Sequence, residues 1–313
     1  MSNPSTADVQ VSVLKNIWEQ YRAYANTSVR LKNEQGRWRR WLLIASVIAM
    51  LVTPFAKTFD RFGFDIISSA LTLVATVLFS LMAWFHRDVL GDDSEQTWVR
   101  CRQTGEGLKA LAFRFLGGVK PFDTAGSKAA LGQAEELRRK AALAPDAVNE
   151  ADKAKGIPPA PLTLLDYLDL RVNDQINFYS KAIERERKAN DRIVKVGRGI
   201  SAAVVVFGAL GAAIAKDLRD IWAPALGAAA TLAAAQSARA RHRFLIDSYD
   251  TAMSKLKFAR TTWETSEKKP EDESRLIETV EAVLAAENAG WVQQMLLKPV
   301  VPDPPPAGPA SKP

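Results

Sequence analysis

The sequence is poor in the side chains from which most enzyme and metal sites are built. Among its 313 residues it has one cysteine, Cys101, and two histidines. One cysteine excludes a disulfide within the chain and indicates a reducing compartment for that region. The sequence also has no Walker loop, no HExxH pattern and no dinucleotide-binding glycine pattern after a strand. We therefore expect a protein that is not an enzyme and that holds no cofactor and no metal.

The chain also lacks the apolar N-terminal core that a signal peptide needs, because residues 1–20 are polar and amphipathic. Basic residues outnumber acidic ones by 42 to 35, which gives a net charge of +7. Anionic lipid headgroups or nucleic acid are the natural electrostatic partners of such a chain. The average composition resembles that of a soluble protein, but apolar and charged residues are segregated into blocks.

Four apolar blocks dominate the pattern. The block at 66–85 contains no charge and is about 20 residues long, which is enough to span a bilayer. The block at 41–55 is about 15 residues long, below the usual limit of about 17. The blocks at 200–215 and 221–235 are short and rich in alanine and glycine. For these last two, a soluble helical hairpin remains an alternative to membrane spans.

The placement of the charged residues favours membrane spans over a soluble hairpin. Arginine and lysine cluster before the first and third blocks and after the second and fourth, whereas the connectors at 56–65 and 216–220 have balanced charge. Both hairpins therefore place their basic ends on one side, which the positive-inside rule assigns to the cytoplasm. The pattern predicts an all-α integral membrane protein with two tandem transmembrane hairpins, four spans, long cytoplasmic amphipathic helices and both termini in the cytoplasm.

The two halves of the chain follow one plan. The second block ends in WFHR and the fourth is followed by ARHR, about 156 residues later, a period that indicates duplication or fusion of related modules. We predict a first two-span module at 1–122, a linker with one weak helix at 123–162, a second two-span module at 163–297 and a disordered proline-rich tail at 298–313.

Hydroxyl side chains recur along one face of the second block at helical spacing. Such a stripe could line a hydrated path between several subunits. The alternative is that each hydroxyl bonds the carbonyl one turn back, or packs against a neighbouring helix. The candidate pore-lining residues are Ser46, Thr53, Ser69, Thr72, Thr76 and Ser80.

Small residues four apart mark the second hairpin. Such pairs let helix backbones approach closely, within one subunit or between subunits. The candidate packing pairs are Gly199 with Ala203, Gly208 with Ala212, and Ala223 with Gly227.

Three stretches resemble a known family. The segment WVRCRQTGEGLKALAFRF after the second block is similar to the signature of one subgroup of the SMODS- and SLOG-associating two-transmembrane effector (SLATT) domains. The segment YLDLRVNDQINFYSKAIERER and the later ENAGWVQQM resemble the pre-hairpin and terminal helices of another subgroup. The matching family-motif residues are Arg102, Glu106, Lys109, Arg171, Gln175, Tyr179 and Trp291.

The resemblance implies a role that composition does not supply. Members of the family are regarded as bacterial effectors that perturb the inner membrane when a nucleotide-signalled conflict system is triggered. It implies a homo-oligomer in the bilayer, with a nucleotide-sensing or synthetase protein as a partner. The basic collars are explained by topology and anionic lipid, so we do not expect nucleic acid as a partner. A membrane-anchored helical scaffold without pore activity remains the alternative, and a transporter is disfavoured because the blocks contain no charge.

Overall fold

The computed structural model describes residues 6–88, 92–122, 126–214, 222, 227 and 241–296, and all regular structure in these ranges is helical. A π-helical segment, Leu168–Asn173, joins two of the helices into one continuous rod. The α-helices are α1 (Thr6–Arg61), α2 (Asp65–Asp88), α3 (Asp92–Leu116), α4 (Gly126–Ala141), α5 (Glu150–Lys153), α6 (Leu164–Tyr167), α7 (Asp174–Ile214), α8 (His242–Glu264) and α9 (Pro270–Leu296).

Helix α1 runs without a break from the N-terminal amphipathic region through the first apolar block. Its 56 residues give a length of about 84 Å. The N-terminal half buries Leu14, Ile17 and Trp18 against other helices. The apolar half exposes large side chains such as Ile44 and Phe55. One rigid element therefore connects the helical bundle to the apolar hairpin.

Helices α1 and α2 form an antiparallel hairpin around a turn at Gly63, whose φ of +77° suits glycine. Ala49 and Ala56 of α1 and Ala75 of α2 are buried in the seam, where small side chains allow close approach. Within the described residues, these two helices are the ones long and apolar enough to cross a membrane. Only 6% of the most apolar stretch of α2 is buried inside the chain.

The remaining helices form a bundle at one end of this hairpin. Helix α3 packs on α1, and α4 packs on α3 and α1. In the second half, α8 packs on α7, and α9 packs on both α8 and α3. Each half thus pairs the helix before its apolar hairpin with the helix after it, as the predicted repeat requires. Helix α9 joins the two halves.

The stretch at 123–162, predicted as a linker, is tied to α1 at several of its described residues. Helix α4 buries Ala130 and Ala134. Farther on, the side chains of Trp18 and Tyr24 donate hydrogen bonds to the carbonyls of Lys155 and Leu143, at 3.1 and 3.0 Å. The sequence predicts a linker here because the side chains of this stretch are small and polar. The same small side chains allow α4 to lie close to its neighbours.

The second apolar hairpin lies mostly outside the described residues. Helix α7 continues into the third block as far as Ile214. In the fourth block, Trp222 lies with its ring centroid 4.9 Å from that of Phe55, in an edge-to-face contact. This contact places Trp222 beside the apolar half of α1. The four-span topology stays a prediction.

Gly117, just after α3, lies close to α9 of the second half. A Cβ atom there would lie 2.8 Å from Cδ1 of Ile277 on α9 and 3.2 Å from the Phe113 carbonyl oxygen. We expect Gly117→Ala to destabilise the bundle by about 1 kcal/mol, the lower end of overpacking effects. At Gly132 in α4 a Cβ would meet nothing within 4 Å. Gly132→Ala should therefore stabilise by about 0.5–1 kcal/mol. Thermal unfolding of both variants in lipid nanodiscs would check the opposite signs, and equal shifts would contradict this packing.

Candidate functional site

Six of the seven family-motif residues line a single cleft between the two halves of the chain. The cleft has a volume of about 170 Å³ and lies between α3, the start of α7 with its π-helical segment, and α9. The motifs of both halves thus meet, which sequence reasoning did not anticipate. The lining residues are Arg102, Glu106, Lys109, Arg171, Asp174, Gln175, Phe178, Tyr179, Leu284, Glu287 and Asn288.

One lining residue of this cleft, Arg171, belongs to a buried ion pair. Arg171 and Glu281 have side chains only 2% and 4% exposed. Nε and Nη2 of Arg171 donate to the two carboxylate oxygens of Glu281 at 2.8 and 2.7 Å, the fork geometry of the strongest ion pairs. The Tyr167 hydroxyl donates to the same carboxylate at 3.1 Å. Tyr167 and Arg171, four positions apart, both reach the carboxylate of Glu281 on α9.

The same arginine also contacts the first half of the chain. Its guanidinium carbon lies 5.1 Å from the centroid of the Phe113 ring on α3, within the range of a cation–π contact. The Phe113 ring in turn meets the Tyr167 ring edge to face, with centroids 5.9 Å apart. Arg171 is therefore held by both halves at once.

Burial and neighbouring charges shift the pKa values of several side chains in the cleft. Burial opposes the charge of Arg171, but attraction to Glu281 outweighs it and holds the arginine pKa above its usual value. Burial, reinforced by the positive charge of Arg171, lowers the pKa of Lys109. Burial raises the pKa of Glu287, while the charge of Arg102 opposes this shift and that of Glu106 adds to it.

Three polar atoms in the cleft wall are buried without a hydrogen-bond partner in the described part of the protein. They are Nη1 of Arg171, Oε1 of Glu287 and Oδ1 of Asn288. Unpaired buried groups of this kind cost about 1–3 kcal/mol each. The cleft therefore holds a polar network that is incompletely satisfied in this arrangement of the two halves.

Trp291, the seventh motif residue, lies just beyond the cleft at a second contact between the halves. The guanidinium of Arg102 stacks over its ring at 3.9 Å from the centroid. The Trp98 ring of α3 meets it edge to face at 5.2 Å. Lys109 and Asp174 add a longer ion pair across the same interface, at 4.0 Å.

The site links the two halves through charged and aromatic side chains. Cys101 is buried, and burial raises its pKa to about 11, so the thiol is protonated at neutral pH. Among the described residues, no group of three histidine, cysteine or acidic side chains could hold a metal ion. Arg102, Arg171 and Lys109 each reach across the cleft to a residue of the other half, so a shift of one half against the other would break these contacts.

The predicted pore-lining hydroxyls lie in two different environments. Ser46 lies in the α1–α2 seam, where its hydroxyl is 2.7 Å from the Leu42 carbonyl and 3.1 Å from the sulfur of Met82. Thr72 and Thr76 are exposed on α2, and their hydroxyls donate to carbonyls one turn back. Thr53 makes the same bond to Ala49 and, like Ser69 and Ser80, is exposed.

These contacts bear on the stripe itself. Ser46 does not share the exposed face of the α2 hydroxyls, because it points into the seam between the helices. The backbone bonds satisfy the threonine hydroxyls locally, as the alternative to pore lining proposed. Whether the exposed stripe contacts water, lipid or another subunit stays a prediction.

The predicted packing residues are described only in part. A Cβ atom at Gly199 would meet nothing within 4 Å, and the same holds at Gly227. Close packing at these small residues stays a prediction. For Ala203, Gly208 and Ala212 the structure describes only the backbone, which is part of α7. Ala223 lies outside the described residues.

Sequence reasoning missed Glu281, Tyr167 and Phe113. A signal for Glu281 was present, because it is a lone carboxylate on the face of α9 that otherwise buries Ile277, Val280 and Leu284. A charge within a buried stripe needs a buried partner. The sequence alone could not show that Arg171, more than a hundred positions away, is that partner.

The geometry defines a class of protein: an all-α chain in which an apolar helical hairpin projects from a bundle built of two like halves. Comparison with family models identifies the family within this class. Residues 19–155 match the SMODS and SLOG-associating 2TM effector domain 3, and residues 167–291 match the SMODS and SLOG-associating 2TM effector domain 1. The chain belongs to this SLATT family and carries two of its modules in tandem, which confirms the resemblance seen in the sequence.

Searches of curated proteins and of solved structures found no match. The family nevertheless gives a coarse function, because SLATT domains are effector domains of conflict systems. Together with the two apolar helices, it indicates a membrane protein. The cleft described above lies between the two matched modules.

Proposed function

We propose that this protein is a membrane effector of a bacterial conflict system that oligomerises and permeabilises the inner membrane. The observation that supports this most directly is the surface of α2. Ile66, Leu73 and Trp84 are 87%, 66% and 57% exposed. A continuous apolar surface of this size calls for lipid or another subunit. Insertion of the hairpin supplies the first, and oligomerisation supplies the second.

Four spans with both termini in the cytoplasm follow from the charge pattern. Basic residues flank the outer ends of both hairpins. The contact of Trp222 with Phe55 supports two hairpins side by side. In this arrangement the helical bundle, with its inter-module cleft, faces the cytoplasm, where a nucleotide-sensing or synthetase partner would act on it.

The inter-module cleft fits the role of receiving that signal. Arg171, Arg102 and Lys109 each contact or approach a residue of the other half, and several buried polar atoms there lack partners. A partner could shift α9 against α3. The shift would be transmitted to both hairpins, because α3 packs directly on α1 and α9 packs on α8. Ions would then flow through the assembled spans, and no bond would be made or broken.

A membrane-anchored scaffold is the second candidate. The local satisfaction of the Thr72 and Thr76 hydroxyls favours it, because these groups need no water-filled path. Replacing the spans by a foreign membrane anchor separates the two. A scaffold would keep its effect on the cell, and a pore former would lose it.

Membrane potential, followed with a voltage-sensitive dye in bacteria after induction, tests the pore directly. We expect the protein, expressed with its activating partner, to depolarise the cells. Thr72→Leu/Thr76→Leu should slow depolarisation by about tenfold or more, because it removes the polar lining of the α2 stripe. Val74→Leu/Val77→Leu is the matched control, since both valines are exposed on α2 outside the stripe.

The outcomes separate the parts of the proposal. Equal depolarisation by both double variants would keep the pore and reject the lining residues. An unchanged potential, in cells that still respond to the protein, would reject permeabilisation and leave the scaffold.

A further inference from the structure

Two clefts of opposite character meet at Arg37, where α1 passes from the bundle into the apolar hairpin. One is a groove of about 330 Å³ between α1 and α2. The other is a polar cleft of about 610 Å³ that runs along α1 on the bundle side. Arg37 lines both. The remaining groove residues are Trp38, Trp41, Leu42, Ala45, Leu78, Leu81, Met82 and Phe85.

The groove is apolar throughout except at its Arg37 end. Trp38 and Phe85 stack across the hairpin at that end, with ring centroids 5.0 Å apart. Ala45, the groove residue of α1 farthest from Arg37, lies about 12 Å along the helix axis from it. The shape is that of a slot for a single apolar chain, and it opens in the region where tryptophan rings favour the headgroup level of a bilayer.

Of the three arginines that line the polar cleft, one is left for an outside ligand. Arg30 is already bound by Asp146 and Glu34, at 2.7 and 3.1 Å. Arg22 lies 3.8 Å from Asp152. Arg37 is exposed and has no ion pair within the described part of the chain. Its guanidinium can therefore bind a phosphate group.

We propose that the groove and Arg37 together form a binding site for one anionic phospholipid of the cytoplasmic leaflet. An acyl chain would occupy the groove between α1 and α2, and the phosphate would lie against Arg37. Charge complementarity favours an anionic headgroup, because the ammonium of a zwitterionic lipid would be placed beside Arg37 and the neighbouring Arg40. Basic pockets on the cytoplasmic side of spans bind anionic headgroups in this way.

The inference goes beyond the proposed function and rests only on its first step, insertion of the α1–α2 hairpin. It assigns to this hairpin a lipid preference that permeabilisation does not require. A lipid wedged between α1 and α2 would also set the spacing of the two helices on the bundle side.

The test uses the full-length protein in nanodiscs with equal parts phosphatidylglycerol and phosphatidylcholine. Native mass spectrometry of the released protein gives the ratio of the two lipids that stay bound. We expect phosphatidylglycerol to be preferred. Arg37→Gln should reduce the preference about fivefold, which corresponds to the roughly 1 kcal/mol that one arginine contributes at an anionic surface. Arg37→Lys should retain most of it.

Two further variants make the result specific. Arg39→Gln removes the same charge at the same depth but from another face of α1, where Arg39 pairs with Glu95 at 3.5 Å. It should leave the preference unchanged. Ala45→Phe fills the groove and should reduce the binding of both lipids.

Three outcomes would overturn the site. Equal losses with Arg37→Gln and Arg39→Gln would mean diffuse attraction to the basic collar. If the parent protein showed no preference for phosphatidylglycerol, Arg37 would not select an anionic headgroup. Unchanged lipid retention in Ala45→Phe would mean that the groove holds no chain. None of these depends on conductance, so a lipid preference without depolarisation would reject permeabilisation and keep the site.

Discussion

Replacing Glu281 by alanine is expected to destabilise the bundle by about 3–5 kcal/mol, the usual cost of leaving a buried charge without its partner. Arg171 is 2% exposed and could not reach water without a change in the packing of α9. Tyr167 would lose the acceptor of its hydroxyl in the same variant. The loss should therefore exceed that of any surface ion pair in the bundle, such as Arg260 with Glu264.

Thermal unfolding of the full-length protein in nanodiscs, followed by tryptophan fluorescence, measures this effect. Glu278→Ala is the matched control, because Glu278 is exposed on the same helix. Its stability should change by less than about 0.5 kcal/mol. The double replacement Arg171→Met/Glu281→Leu should recover most of the loss, because apolar side chains can replace a buried ion pair. If Glu281→Ala were as mild as Glu278→Ala, the buried pair would not exist in solution.

Replacing Trp291 by alanine is expected to have an effect of similar size, about 3–5 kcal/mol. The ring is 2% exposed and is shared by both modules, through Trp98 and Arg102 of α3. Removing it opens a cavity at the junction and removes the cation–π contact of Arg102. We therefore expect the variant to loosen the contact between modules as well as to unfold more easily.

Trp263→Ala provides the comparison, because Trp263 packs between α8 and α9 inside the second module. Hydrogen exchange should show greater loss of protection in α3 for Trp291→Ala than for Trp263→Ala. A double-mutant cycle of Arg102→Ala with Trp291→Ala should give a coupling of about 0.5–2 kcal/mol. Coupling near zero would mean that the stacking of Arg102 contributes nothing to the junction.

The sequence predicts the parts of this fold that depend on local patterns. An uncharged stretch at 66–85 can hardly be anything other than an apolar helix, and α2 spans it. The repeat in charge and apolar blocks likewise predicts that the helices flanking each hairpin pair with each other. These features follow from periodicity and composition, which are properties of short segments.

The cleft could not be predicted in the same way. The resemblance identified Arg102 and Arg171 as motif residues of separate modules, but their convergence depends on α9 packing against α3 as well as α8. The π-helical turn at Leu168–Asn173, which contains Arg171, also leaves no trace in the sequence pattern. Contacts between distant segments and a change of helical pitch are decided by packing.

The continuity of α1 has a mechanical consequence. Between Trp18 in the bundle and Thr53 in the apolar hairpin, the helix contains no proline and no other interruption, and its proline, Pro54, comes only at the far end. A rotation of the N-terminal half of α1 about the helix axis would therefore rotate the apolar half as well. Turning the bundle end by a quarter turn would change which face of the apolar half of α1 meets its surroundings, without breaking a single backbone hydrogen bond.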